Sequence, residues 1–228
     1  MVVREGPIRF GGEERADGFR FELSGGRLCL DFANTVDDRK STAPNELLPG
    51  YPDLVAWSAQ TRVLSVSEAD RLLQGARRSP AAAGRALARA RSLREALFAI
   101  FASAADRRAA PPAALRALET ELRGAFAGPA LERAKEYRLV WRDREAALDR
   151  MLGPVVRSAV ELLTSPELDR VRMCAARTCG WLFFDESRNR SRQWCDMTVC
   201  GNRAKARRFY ERKRRAETRR IRRASTRR

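Results

Sequence analysis

The chain has 228 residues, a formal net charge of +17 and no histidine. The missing imidazole excludes Ser-His-Asp and Cys-His nucleophilic pairs, H-E-x-x-H zinc hydrolases and imidazole acid–base chemistry. Apolar residues make up 44% of the chain and charged residues 33%, so it can build a core of one large domain, or of a medium domain plus a small one.

The stretch through residue 18 is polar and glycine-rich, which predicts a disordered lead-in. Phe19, Phe21 and Leu23 then alternate with polar residues, Ser24-Gly25-Gly26 offers a turn, and Leu28, Leu30 and Phe32 resume the alternation. This pattern predicts a β-hairpin. Asn34 to Gly50 is polar with two prolines and reads as a loop.

Helices follow. Pro52 to Gln60 opens with a proline, and Ser65-x-x-Glu68 is a capping box ahead of a second short helix. From Pro80 to Ala105, Leu87, Ala90, Leu93, Leu97, Ile100, Phe101 and Ala104 recur at helical spacing, and Pro112 to Phe126 repeats the pattern with Leu115, Leu118 and Leu122. Gly128-Pro129 breaks it. Tyr137, Leu139 and Trp141 predict a strand paired with the early hairpin, and Arg144 to Leu163 a helix kinked or split at Gly153-Pro154. A domain boundary is placed at Ser165-Pro166, closing a mainly helical domain over 19–165. No phosphate-binding loop or convergent acid pair occurs in it, and the expectation is a protein that is not an enzyme.

Four of the five cysteines fall within 27 residues, as Cys174-x4-Cys179, a fifteen-residue spacer, and Cys195-x4-Cys200. Two short-spaced pairs are what a tetrahedral all-sulfur site requires, each pair forming one knuckle. Zinc suits four thiolates, and four protein ligands leave no open position for water, so such a site is structural. Buried free thiols, a disulfide pair and an iron–sulfur cluster are the alternatives; an intracellular setting speaks against the disulfide. Arg172–Cys174 and Gly180–Phe184 can form a hairpin around the first knuckle. Trp181 to Phe184 would supply its apolar contacts, and Arg203 to Arg223 reads as a basic helix.

Charge is concentrated at this end. Ser187 to Arg228 holds 17 Lys and Arg against 3 Asp and Glu, a net of +14, whereas residues 1–186 carry +3. Because 42 of the 46 basic residues are Arg, composition is a weaker signal than placement. The placement points to a polyanion. Candidate nucleic-acid contacts are Arg188, Arg190 and Arg192 before the second knuckle, and Arg203, Lys205, Arg207, Arg208 and Arg212 after it. Trp194, Phe209 and Tyr210 are expected to pack on the zinc hairpin, with base stacking as the alternative. Asp185 and Asp196 are expected to pair with neighbouring arginines.

Cys200-Gly201-Asn202-Arg203, with Ser187 to Met197 before it and Ala204 to Arg208 after it, closely resembles the CGNR zinc finger. Gly26 to Thr35 and Leu93 to Phe98 resemble motifs of the ABATE domain, a family described in terms of stress-induced transcription regulation. The resemblance implies a mainly helical domain followed by a zinc finger over 166–210 and an Arg-rich helical extension or tail over 211–228. It implies one structural zinc on Cys174, Cys179, Cys195 and Cys200, and a transcription regulator that binds DNA. An RNA-binding or ribosome-associated protein is the alternative, and an enzyme in the N-terminal domain, with the finger as a tether, a more remote one. In the regulator the N-terminal domain would sense a small molecule or dimerise. With no apolar stretch of membrane-spanning length and no secretory pattern in Met1 to Phe10, a cytoplasmic protein is expected.

Overall fold

In the computed structural model, residues 11–16, 18–125, 129–133, 136–141 and 147–225 are described. Strands β1 (Gly12–Arg15) and β2 (Gly18–Phe21) form an antiparallel hairpin, with Gly12 opposite Phe21 and Arg15 opposite Gly18. Part of the expected lead-in is therefore ordered strand, and the hairpin lies earlier than the alternation suggested. The second expected arm is helix α1 (Leu28–Ala33). Cys29, Leu30, Phe32 and Ala33 are all buried there. A six-residue helix covered on most sides gives an apolar run whose period distinguishes neither helix nor strand.

Helices α2 (Tyr51–Gln60), α3 (Val66–Arg78), α4 (Pro80–Ala105) and α5 (Pro112–Ala125) lie where their periodicity places them. The α3 capping box is complete: the Glu68 amide donates to Ser65 Oγ at 3.3 Å, and the Ser65 amide donates to Glu68 Oε2 at 2.7 Å. The apolar stripe of α4, from Ala83 to Phe101, is buried. Strand β6 (Tyr137–Trp141) forms as expected, but its partner is the adjacent β5 (Pro129–Arg133) and not the early hairpin. Loop closure favours this local pairing over one bridging more than a hundred residues. Phe126 lies outside the described residues.

Helix α6 (Leu152–Leu163) begins later than Arg144. Residues 148–151 are turn, and 142–146 lie outside the described residues. Gly153-Pro154 starts the helix instead of kinking it, since a proline in the first turn costs no intrahelical hydrogen bond. Core contacts run from α1 to both α4 and α6, and α5 covers α4.

The irregular segment from Asn34 to Gly50 contains only a two-residue pairing, β3 (Val36–Asp37) with β4 (Asn45–Glu46). Arginines on α4 hold it in place. Arg94, with a side chain only 5% exposed, donates to both Glu46 carboxylate oxygens at 2.6 and 2.8 Å. It also reaches Glu95 at 2.9 Å and the Thr35 carbonyl at 3.3 Å. Arg91 donates to the Leu48 carbonyl at 2.6 Å. A buried guanidinium with this many acceptors offsets its desolvation and fixes the loop.

A 3-10 turn over Pro166–Arg170 leads into β7 (Val171–Met173), which pairs antiparallel with β8 (Leu182–Phe184). All of β8 is buried, and it packs on α1 and α4. The hydrophobic core is thus continuous from Phe21 to Cys200. A π turn over Met197–Gly201 runs directly into α7 (Asn202–Ser225). No helix among the described residues is long and apolar enough to cross a membrane.

Candidate metal centre

Two knuckles bring the cysteines together. Cys174 directly follows β7, with its amide bonded to the Trp181 carbonyl at 2.7 Å. After Cys179 the chain reverses at Gly180, whose φ of +76° lies in the left-handed region. Any Cβ there would also meet the Lys40 side chain at 3.1 Å. The Trp181 amide then points back to Cys179 Sγ at 3.4 Å. Cys195 sits in the loop ahead of the π turn, and Cys200 lies within it. The Cys200-Gly201 step is close-packed: a Cβ at residue 201 would collide with the Met197 sulfur.

All four sulfurs are buried and lie within 4.8 Å of one another. Cys179 to Cys195 and Cys195 to Cys200 are each 3.7 Å apart. Zinc–sulfur bonds of about 2.3 Å in a tetrahedron place the sulfurs about 3.8 Å apart, so the cluster fits one zinc ion. None of the five cysteines forms a disulfide. Cys29 stands apart in α1, its thiol pushed up to about 12 by burial.

Electrostatics favour a dication. The Cys174 thiol is driven far down by hydrogen bonds from the other three thiols, whereas Cys179 and Cys195 are driven far up, Cys179 first by the Cys174 thiolate. One thiolate is readily held among four buried thiols; four thiolates require a bound cation. Zinc with four thiolates carries a net −2, and cationic groups surround the site. Lys40 Nζ donates to the Cys174 carbonyl at 3.0 Å. Arg192 donates to the Trp194 carbonyl at 2.8 Å and also to the Cys195 carbonyl, while its guanidinium lies 4.7 Å from the Phe183 ring centre. Arg203 lines a narrow crevice beside Cys179 and Cys200 with Glu22 and Asp37. Burial raises Asp37 to about 6 and Arg203 opposes that rise; burial and then Asp196 raise Glu22 to about 7.

The eight basic candidates divide by environment. Arg188 is exposed in the loop before the second knuckle. Arg190 is ion-paired with Asp169, and Arg192 and Arg203 face the metal site. Arg207 pairs with Glu211 at 3.7 Å. Lys205, Arg208 and Arg212 line one face of α7 together with Arg215 and Glu211. Trp194 packs against the core, but Phe209 and Tyr210 do not: they are 57% and 68% exposed and contact each other edge to face. The acidic residues keep the expected arginine neighbours, Arg172 for Asp185 and Arg192 for Asp196, but take their hydrogen bonds from other groups. Asp185 accepts from the Ser187 hydroxyl and from the Ser187 and Arg192 backbone amides, and Asp196 from Thr198 Oγ1 and the Val199 amide. Backbone amides and hydroxyls in tight turns are nearer donors than the long arginine side chains.

Residues distant in sequence complete the site. Asn34, Lys40, Asp38 and the Val36 carbonyl all bond the finger, Val36 accepting from Trp181 Nε1 at 2.9 Å and Asp38 from Thr178 Oγ1 at 2.6 Å. Only the fold brings these groups to the cysteines; nothing in the spacing of the four thiols points to them.

Comparison with known families agrees with this geometry. Residues 26–166 match the ABATE family, described as "Putative stress-induced transcription regulator", and residues 170–213 match the CGNR zinc finger. No curated protein matches the chain. The chain belongs to the ABATE family and ends in a CGNR zinc finger whose four cysteines form a site for one zinc ion.

Proposed function

We propose that this protein is a DNA-binding transcription regulator in which the zinc orients helix α7 on a nucleic-acid duplex and the N-terminal domain senses a ligand or dimerises. The carrying observation is that Cys200 and Gly201 belong to a π turn continuous with α7, so the metal knuckle and the basic helix move as one unit. Lys205, Arg208, Arg212 and Arg215 follow one another at spacings of three and four, forming a cationic ridge that Glu211 alone interrupts. A helix of this kind fits a major groove and meets phosphates on its flanks. The protein acts by binding, with no catalytic role, inside the cytoplasm.

A second reading, an RNA-binding or ribosome-associated protein, is favoured by one observation: Phe209 and Tyr210 project from the same helix, as base-stacking side chains do. Competition between duplex DNA and structured RNA at fixed salt tests the proposal. Preference for the duplex supports it; RNA preference of tenfold or more overturns it.

A further inference from the structure

A second concavity shares no lining residue with the crevice beside the zinc site. The end of α4, the start of α5, the end of α6 and the 3-10 turn into β7 enclose a cleft of about 560 Å³, within the range typical of small-molecule sites. Ile100, Leu115, Leu163 and Leu168 make its walls apolar. The polar groups at its margin are unequal: Arg107, Arg108 and Arg172 against Asp169 alone.

The charge of Asp169 is already met by Arg190, and that of Arg108 by Asp106 at 2.7 Å. The Arg107 amide donates to the Ala104 carbonyl at 3.0 Å, and the exposed Arg107 guanidinium has no hydrogen-bond or ion-pair partner among the described residues. Arg172 uses Nη1 on the Asp169 and Val171 carbonyls, which leaves Nε and Nη2 free to donate. Arg172 also shares its charge with Asp185, so an apolar cleft whose rim keeps guanidinium donors on Arg107 and Arg172 open to the cleft matches a ligand that is apolar at one end and singly anionic at the other.

We propose that this cleft binds a small amphipathic monocarboxylate, an aliphatic or aromatic acid whose apolar body lies on Ile100, Leu115 and Leu163 and whose carboxylate meets Arg107 and Arg172. Inorganic phosphate fits poorly, because it would leave the apolar walls uncovered. The site has a position suited to signalling: Arg172 precedes the zinc ligand Cys174 by two residues, so an occupant touches both the helical domain and the strand that carries the metal site. The proposal does not depend on which nucleic acid α7 binds.

Calorimetric titration of the zinc-loaded full chain with decanoate tests it, with decan-1-ol as the uncharged probe and inorganic phosphate as the purely anionic one. Decanoate is expected to saturate one site, to bind at least about fivefold more tightly than decanol, and to resist displacement by phosphate. Arg107→Gln, at an exposed position where folding is not at stake, should weaken decanoate about fivefold and leave decanol unchanged. Ala104→Phe should fill the cleft and abolish both, with the zinc content unchanged. Absence of saturable decanoate binding up to ~1 mM, equal affinity for the two probes, or an unaffected Arg107→Gln variant would overturn the proposal.

Discussion

Asn34 and Leu182 exchange two hydrogen bonds: Asn34 Nδ2 donates to the Leu182 carbonyl and the Leu182 amide donates to Asn34 Oδ1, each at 2.8 Å. Both residues are buried. The side-chain amide of Asn34 thus stands where a neighbouring strand would, satisfying the free edge of β8. This joins the residue after α1 to the hairpin of the first knuckle, and it gives physical meaning to an asparagine in the Gly26–Thr35 motif.

Asn34→Ala should therefore cost more than one hydrogen bond. It leaves both the Leu182 amide and carbonyl buried without partners, a loss of about 2–4 kcal/mol. Urea denaturation of zinc-loaded protein reads this as a lower midpoint with an unchanged slope. Asn34→Asp should be no milder at neutral pH, since a carboxylate cannot donate to the Leu182 carbonyl. Wild-type stability in either variant would refute the strand-mimic role.

Metal analysis should find about one zinc per chain, and a chelator should lower the melting temperature of the whole molecule. The reason is the continuous core: Trp181, Leu182 and Phe183 pack with α1 and α4 and not on a separate finger core. Loss of the metal releases these residues from both sides. Calorimetry should show one transition that moves down; two transitions, with the upper one unmoved, would contradict the shared core.

What the sequence reveals here follows the range of the interactions. Helices α2 to α5 are legible because caps, prolines and apolar periods act within a few residues, and the cysteine spacing is legible because a tetrahedral site constrains it. α1 is misread since its six residues are surrounded by core on nearly every side. The partner of β6 is misread because alternation marks a strand and says nothing of its neighbour. The supports of the metal site, Asn34, Lys40 and Asp38, carry no local signal: each is an ordinary polar residue in an irregular segment that Arg91 and Arg94 hold in place.

Two arginines expected to meet nucleic acid should behave differently. Arg192 caps the Trp194 and Cys195 carbonyls beside a zinc ligand, so Arg192→Ala should speed zinc release to a chromogenic chelator as well as weaken binding. Arg188, exposed in the loop before the second knuckle, should alter nucleic-acid affinity and leave the release rate untouched when changed to Ala. Equal release rates in the two variants would remove the structural role given to Arg192.

Asp31 offers a pH test. Burial raises its carboxyl from 3.8 to about 6, against the Gly25 amide that donates to it at 2.8 Å. A carboxyl raised on folding stabilises the folded state most below its unfolded value, and that contribution is lost as pH rises from about 4 through about 6. Asp31→Asn keeps an oxygen acceptor for Gly25 and removes the buried charge. The variant should gain on the wild type between about pH 4 and 6, by an amount on the order of 2 kcal/mol, then run parallel above. A constant difference across that window would show that Asp31 does not titrate there.

The ridge on α7 can be tested by salt. Each phosphate neutralised by a cation contributes about −0.9 to the slope of log affinity against log salt on duplex DNA. Lys205, Arg208 and Arg212 share one face, so changing all three to Gln should make the slope shallower by about 2.5–3. Arg207 is partly neutralised by Glu211 at 3.7 Å, and Arg207→Gln alone should change it by less than one full contact. If the triple variant keeps the wild-type slope, the helix binds through another face or does not bind duplex at all; if Arg207→Gln matches a full contact, the pairing with Glu211 gives way on the DNA.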